Sequence, residues 1–188
     1  MDADGDSLVR VDKVSGLRIN AGSGQRPFAN FVNLDIQEKW RQPALDKGGE
    51  FILGDMDSLP FPDESASLVV SHHTLEHMGC GEAAPFVKEA HRVLRPGGSL
   101  LVFVPDMLAL ARAYLEGKLT TQVYLTNVYG AYMGDPHDAH AWGFDRGSLY
   151  DFLRASAPWK RVMRFDWRDI QGMDAARDWW VLDCEAVK

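Results

Sequence analysis

Short apolar segments alternate along the chain with turn signals and helical patterns, and this alternation limits the possible folds more than any other feature. A helical period over residues 82–94 stops at an Arg-Pro-Gly-Gly turn, and the most hydrophobic strand candidate, residues 99–104, follows directly. Proline cannot continue a helix, and strands that alternate with helices are typical of a parallel sheet with crossover helices. The pattern therefore predicts an α/β fold.

The same reasoning applies to the rest of the chain. It predicts strands at residues 17–21, 31–36, 51–53, 66–71, 99–104, 160–167 and 179–187, and helices at 74–78 (a helix start), 82–94, 107–115 and 146–156. The expected architecture is a three-layer α/β sandwich with a mostly parallel sheet and an antiparallel C-terminal strand pair. We expect one domain over residues 1–188, with residues 1–14 as a flexible leader.

Composition excludes several classes of protein. The formal net charge is −7, and without a basic block this charge argues against a nucleic-acid partner. The longest apolar run, residues 100–104, is far shorter than the roughly 20 residues that cross a bilayer, so no membrane insertion is expected. The acidic start does not resemble a secretory signal, and two cysteines are too few for a cysteine-based zinc site. These features favour a reduced, cytoplasmic setting.

Two motifs at predicted strand ends indicate a nucleotide-like ligand. Glycines within residues 20–24 follow the first strand and would let backbone amides approach a ligand, while Asp35 ends the second strand, where a carboxylate can bind ribose hydroxyls. Asp55 and Met56 follow the third strand, where they could meet an adenine, although Asp55 could equally cap a turn. The third glycine of a dinucleotide fingerprint is missing, which disfavours a nicotinamide-dependent dehydrogenase.

A third motif, Ser-His-His-Thr-Leu-Glu-His at residues 71–77, ends the fourth strand. Ligands of open α/β sheets bind beyond the carboxyl ends of strands, so this position favours a role in the site. His73 and His77 are four residues apart with Glu76 between them, but the His-Glu-x-x-His order of a helical metal pair is absent. We therefore expect no metal here.

Together these segments resemble the class I S-adenosylmethionine-dependent methyltransferases, in particular the short members of the type 11 group. The resemblance lies in LRINAGSG, VNLDI, GDMDSLPFPDESASLVVSHHTLEHM and EAHRVLRPGGSLLVFVPD, with a later loop-like segment, DPHDAHAWGFD. It implies a Rossmann-like fold and S-adenosylmethionine as the cofactor. The implied cofactor-binding residues are Asn20, Gly22, Ser23, Gly24, Asp35, Asp55, Met56 and Ser71, with Ser71 and His72 beside the sulfonium. Asn20 stands where the group usually has an acidic residue, so its contact with the amino group would be weaker or water-mediated.

Methyl transfer to a hydroxyl needs an aligned acceptor and a group that takes its proton. His72, His137 and His140 are the candidates, with Asp106 as a base or an orienting group. Residues 135–145 are predicted to form a lid, and the nearby aromatic residues Tyr132, Trp142 and Phe144 would exclude water from the site. Alternatively, His137 and His140 could only form hydrogen bonds within the loop.

The preferred function is methyl transfer to the oxygen or nitrogen of a small molecule, such as a sugar or glycan precursor. The alternative is a non-catalytic module that binds S-adenosylmethionine or S-adenosylhomocysteine for regulation or interaction. An RNA methyltransferase is disfavoured by the negative charge.

Overall fold

The computed structural model describes residues 16–131, 135–165 and 180–188. Their strands are β1 (Leu17–Ala21), β2 (Val32–Asp35), β3 (Glu50–Leu53), β4 (Ala66–His72), β5 (Leu94–Pro105), β6 (Arg161–Arg164) and β7 (Val181–Val187). The α-helices are α1 (Arg41–Asp46), α2 (Cys80–Val93), α3 (Met107–Leu115), α4 (Thr121–Tyr129) and α5 (Arg146–Ser156). Short 3₁₀ turns lie at Glu38–Trp40, Met56–Ser58, Leu75–His77 and Pro136–Asp138. No helix in the described ranges is long and apolar enough to cross a membrane.

All seven strands form one sheet in the order β3-β2-β1-β4-β5-β7-β6. The first five strands are parallel, and β7 runs antiparallel to both β5 and β6. From β1 the chain moves outward to β2 and β3, and it then returns to place β4 on the other side of β1. This reversal is a topological switch point, and the carboxyl ends of β1 and β4 are therefore where a ligand of this fold is expected.

The two faces of the sheet are covered by two separate apolar cores. Alternate residues of a strand point to opposite faces, so Val69 joins the larger core while Leu68 and Val70 join the smaller one. The larger core includes the buried faces of α2 and α5. The smaller core includes Phe28 and Phe31, which come from the link between β1 and β2. That link is therefore part of the folded core as well as a connection.

The link between β1 and β2 contains no helix, and a buried amide organises it instead. The Asn33 side chain accepts a hydrogen bond from the Phe28 amide (2.8 Å) and donates to the carbonyls of Phe28 (3.0 Å), Phe31 (3.3 Å) and Glu50 (3.2 Å). Asn33 is fully buried, and it also accepts a hydrogen bond from the Asn20 side chain at 2.9 Å. Because a buried amide is stable only when its polar atoms are paired, this network fixes the course of the link.

The predicted architecture is confirmed, including the antiparallel strand pair at the C-terminal end of the chain. Two helices were not predicted. The first, α1, has only six residues and contains a proline, and the second, α4, has no buried residue and so shows no apolar face in the sequence. The predicted helix start at 74–78 is only a 3₁₀ turn. The predicted leader and residues 166, 167 and 179 of the last strand pair lie outside the described residues.

Candidate active site

A cavity of about 500 Å³ opens at the switch point of the sheet. Most of the predicted site residues line it: Gly22, Ser23, Gly24, Asp35, Asp55, Met56, His72, His137 and His140. Three predicted site residues are not among the lining, namely Asn20, Ser71 and Asp106. Side chains from the first half of the chain and from the segment after α4 therefore meet in one space, although they are about 100 residues apart in sequence.

The glycine loop after β1 is held against the end of β2 and lies close to Thr74, which follows β4. The amides of Gly22 and Ser23 both donate to the carbonyl of Leu34, at 2.9 and 3.0 Å. Gly22 has a φ of +68°, and a Cβ atom there would lie 2.2 Å from Cγ2 of Thr74. Gly24 also has a positive φ, of +43°, but a Cβ there would meet no atom within 4 Å. Glycine is thus required at position 22 because a side chain there would collide with Thr74, while Gly24 borders open space.

Two carboxylates face the cavity from the ends of β2 and β3. Asp35 is buried, and its two oxygens accept hydrogen bonds from the amides of Gly24 (2.8 Å) and Gln37 (2.9 Å). Asp55 caps the following 3₁₀ turn by accepting from the Asp57 amide at 3.1 Å. A carboxylate oxygen can accept more than one hydrogen bond, so both groups keep acceptor capacity for a ligand. The capping role of Asp55 and its place in the site are therefore compatible.

The end of β4 presents buried polar groups without partners. Ser71 is fully buried and His72 nearly so, and neither Ser71 Oγ nor His72 Nδ1 has a hydrogen-bond partner among the described residues. Burial is the main cause that lowers the pKa of His72 to about 3, and unfavourable electrostatic interactions with His73 and Arg26 add to it. His72 is therefore neutral near neutral pH and accepts a proton poorly, so its position suits packing against a ligand better than general-base catalysis.

The segment after α4 brings two histidines to the cavity. Asp135 caps the turn that carries His137, and it forms a salt bridge with Lys39 from beside α1 (2.6 Å). His140 Nδ1 lies 2.9 Å from the carbonyl of Asn127 in α4, and burial is the main cause that lowers the pKa of this imidazole. Both histidines line the cavity. Of the two, His137 is the more exposed.

Of the three aromatic residues proposed for the lid, the two that the structure describes do not line the cavity. Phe144 is buried in the larger core, where its ring packs 5.6 Å from that of Phe152, and Trp142 is 47% exposed. Tyr132 lies outside the described residues. The lid prediction was therefore wrong for Phe144 and Trp142, because an aromatic residue near a polar loop can serve the core or the surface as easily as a site. The backbone holds the segment, with the amides of Ala141 and Trp142 donating to the Glu76 carbonyl at 2.8 and 3.0 Å.

Several lining residues were missed as site residues from the sequence. The most prominent are Arg26, Gln37, Trp40, Thr74 and Met78, together with His73 and His77, which were considered only as metal ligands. Arg26 and Gln37 each lie within two residues of a predicted site residue, so proximity to Gly24 and Asp35 could have identified them. Trp40 is the last residue of a 3₁₀ turn that was not predicted, so no pattern in the sequence indicated its place.

Comparisons with known proteins agree with this geometry. Residues 15–102 match the family model of the type 11 methyltransferase domain. The chain is therefore similar to the type 11 methyltransferase domain over slightly less than half of its length.

Two relatives of the chain differ widely in their named acceptors. A ubiquinone/menaquinone biosynthesis C-methyltransferase of Rhodopseudomonas palustris is 32% identical over 117 residues, which are 58% of this chain and 43% of the relative. A tRNA (carboxymethyluridine(34)-5-O)-methyltransferase of Arabidopsis thaliana is 29% identical over 82 residues, 43% of this chain and 20% of the relative. The chain thus spans less than half the length of these two curated relatives.

A solved structure supports the fold of the chain. A SAM-dependent methyltransferase from Thermotoga maritima superposes with a TM-score of 0.62, covering 93% of this chain and 83% of that protein. The two sequences are 18% identical, so the likeness establishes the fold alone. It confirms a Rossmann-like sandwich.

The cofactor of this group of methyltransferases is S-adenosylmethionine, and the cavity fits such a molecule. Ser23 Oγ and His72 Nδ1 both belong to lining residues, are buried, and lack a hydrogen-bond partner among the described residues. Buried polar atoms are normally paired, so these two are free to meet polar atoms of a ligand. Asp35 offers acceptor capacity, and the open space beside Gly24 leaves room for the ligand.

Asn20 supports the glycine loop through buried hydrogen bonds. It is fully buried, and its amide donates to the Arg26 carbonyl (3.0 Å) and to Asn33. An acidic side chain could make neither of these donations, which gives a physical reason for an amide at this position. The predicted contact between Asn20 and the cofactor's amino group stays a prediction, for which the unpartnered Asn20 Oδ1 is the available atom.

Asp106 caps a helix. Its Oδ1 atom accepts hydrogen bonds from the amides of Leu108 and Ala109, both at 3.0 Å, at the start of α3. We expect Asp106→Ala to lower the free energy of unfolding by about 1 kcal/mol, since a lost N-cap typically costs that much, and Asp106→Asn to cost less. Urea denaturation measures both changes. A role for Asp106 in catalysis instead predicts that Asp106→Asn, which keeps the cap, loses most of the turnover.

Proposed function

We propose that this protein transfers a methyl group from S-adenosylmethionine to an oxygen or nitrogen atom of a small-molecule acceptor. The observation that carries the proposal is the composition of the cavity. The glycine loop, Asp35 and Asp55 line the same cavity as His137 and His140. Residues suited to bind the cofactor and residues able to exchange protons therefore share one space, as methyl transfer to a protonated nucleophile requires.

On the cofactor side, the proposal assigns a role to each element. Asp35 accepts hydrogen bonds from the ribose hydroxyls, and residues 55 and 56 contact the adenine. Gly24 leaves space for the methionine part, and His72, which lines the cavity while its neighbour Ser71 does not, lies beside the sulfonium. The low pKa of His72 supports this placement, because a neutral imidazole does not repel the positive sulfonium as a protonated one would.

On the acceptor side, the chain must orient the nucleophile and take up its proton. S-adenosylmethionine supplies the electrophilic methyl group when bound. His140 has a lowered pKa, and its Nδ1 faces a carbonyl oxygen, which can only accept a hydrogen bond. Nδ1 therefore carries the proton, and Nε2 keeps a lone pair that can accept one. The more exposed His137 is the second candidate base.

A small acceptor, such as a sugar or glycan precursor, is favoured over RNA. The net charge of −7 and the lack of a basic block give little attraction for a phosphate backbone. Because one relative is a tRNA methyltransferase, RNA is the competing class of acceptor. If the protein methylates bulk tRNA, and this activity falls steeply as the salt concentration rises, then RNA is the acceptor and the small-molecule proposal is wrong.

The central test is the affinity of Asp35→Ala for S-adenosylhomocysteine, measured by isothermal titration calorimetry. We expect binding to weaken by about 1.5–3 kcal/mol, roughly 10- to 150-fold, because a buried charged acceptor is lost. The matched control is Asp46→Ala, which removes an exposed aspartate at the end of α1 that does not line the cavity.

Since Asp35 also anchors the amides of Gly24 and Gln37, circular dichroism and Asp35→Asn accompany the measurement. Unchanged affinity in a folded Asp35→Ala variant contradicts the cofactor assignment. Wild-type protein is then assayed for transfer of a tritiated methyl group to pooled acceptors. Tight cofactor binding without turnover on any pool would favour the non-catalytic module.

A further inference from the structure

Three metal-ligating side chains converge where the Leu75–His77 turn meets the segment after α4. Glu76, His77 and His140 each offer one ligand atom, and these atoms lie within 4.8 Å of one another. The rings of His77 and His140 are edge to face, with centroids 4.8 Å apart. His140 comes from a distant part of the chain, so the local spacing that argued against a metal in the sequence could not include it.

Both imidazoles are oriented as metal-binding histidines usually are. His77 Nδ1 lies 3.1 Å from the carbonyl of Ala139, and His140 Nδ1 lies 2.9 Å from that of Asn127. A carbonyl oxygen only accepts hydrogen bonds, so each Nδ1 carries the proton and each Nε2 presents a lone pair. A backbone carbonyl that fixes the tautomer in this way is a typical outer-shell partner of a metal-bound histidine.

The carboxylate of Glu76 provides an independent observation. This side chain is 1% exposed, and its Oε2 atom has no hydrogen-bond partner among the described residues. The other oxygen, Oε1, lies 2.9 Å from His73 Nδ1, which orients the group. A buried carboxylate oxygen without a partner is costly, and a cation beside it would remove that cost.

We propose that Glu76, His77 and His140 bind one divalent transition-metal ion, with Zn²⁺ the best match. Two histidines and one carboxylate are a known catalytic zinc set, which leaves a fourth position open. Ligand atoms of tetrahedral zinc lie roughly 3.4 Å apart, so the largest present separation shortens by about 1.4 Å at most, within the range of side-chain rotation. Because His77 and His140 line the cavity, the open position faces it and can hold an acceptor oxygen. Only this last role rests on the proposed function.

The test uses tag-free protein treated with EDTA and then titrated with Co²⁺, whose visible absorption intensifies in a tetrahedral protein site. We expect saturation at one equivalent and displacement of Co²⁺ by Zn²⁺. The His140→Ala and Glu76→Gln variants should bind Zn²⁺ at least about 100-fold more weakly, since loss of an outer-shell partner alone costs 10- to 100-fold. His137→Ala is the matched control, because it removes a histidine three residues away that is not in the cluster.

Several results would overturn the metal site. These are saturation without a tetrahedral spectrum, equal affinity in His140→Ala, or an equal loss in His137→Ala. Because Glu76 is buried, circular dichroism checks its variant, and the more accessible His140 variant decides the question if Glu76→Gln does not fold. Calorimetry with S-adenosylhomocysteine on the same samples separates failure of the metal site from failure of the proposed function.

Discussion

Replacing Gly22 by valine is expected to abolish S-adenosylhomocysteine binding and to lower the free energy of unfolding by about 3 kcal/mol or more. The Cβ atom would stand 2.2 Å from Thr74 Cγ2, on a backbone with a φ of +68° that a β-branched residue adopts only with strain. The sequence alone predicts lost binding in a folded domain, with the side chain filling the ligand's space. The structure adds a direct conflict with Thr74. Calorimetry and urea denaturation measure the two effects.

A double-mutant cycle separates the contact with Thr74 from the backbone strain. Gly22→Ala should destabilise the wild type by more than it destabilises a Thr74→Ala background, with a difference of about 1 kcal/mol or more. The control is Gly24→Ala, where φ is also positive but no atom lies within 4 Å of the added Cβ. Equal costs of Gly22→Ala in both backgrounds would show that Thr74 does not set the requirement for glycine.

Replacing both His137 and His140 by alanine is expected to reduce methyl transfer by about 100-fold or more, the usual range for loss of a general base. Affinity for S-adenosylhomocysteine should change little, because the cofactor side of the cavity is formed by other residues. Turnover is measured with saturating cofactor on the acceptor that the pooled assay identifies, and affinity by calorimetry.

The single variants assign the roles within that pair. A loss confined to His137→Ala would identify His137 as the base, whereas a loss in both single variants is expected if His140 holds a metal ion that binds the acceptor. His91→Ala serves as the control, since it removes a histidine of α2 that packs against Trp159 and does not line the cavity. Full activity in the double variant would reduce both residues to parts of the loop structure.

The sequence predicted those parts of the molecule that depend on local patterns. Strands β1 and β4 were predicted to within one residue, because each is a short apolar run bounded by turn signals. Asp35 and Asp55 were identified as site residues because they end strands that the sheet order brings to one edge. α4 was missed because it lacks a buried face.

Features that depend on contacts between distant segments could not be read from the sequence. The need for glycine at position 22 comes from Thr74, which is 52 residues away. The role of Asn20 depends on its hydrogen bonds to Arg26 and Asn33. The family resemblance instead implied a contact between Asn20 and the cofactor, so these hydrogen bonds were not predicted. The Glu76, His77 and His140 cluster appears only when the segment after α4 folds back onto the Leu75–His77 turn.

The link between β1 and β2 limits which substitutions this protein can accept during evolution. Phe28 and Phe31 anchor the same loop that borders the cavity, so substitutions there alter ligand contacts and core packing at once. The acceptor side is different, because α4 has no buried residue and His137 is exposed. Mutations that tune substrate range on that side cost little folding free energy, since surface changes usually lie within about ±0.5 kcal/mol. If the proposed function holds, new acceptors are therefore accessible through exposed lining residues such as Pro136 and His137, while the glycine loop stays under stability selection.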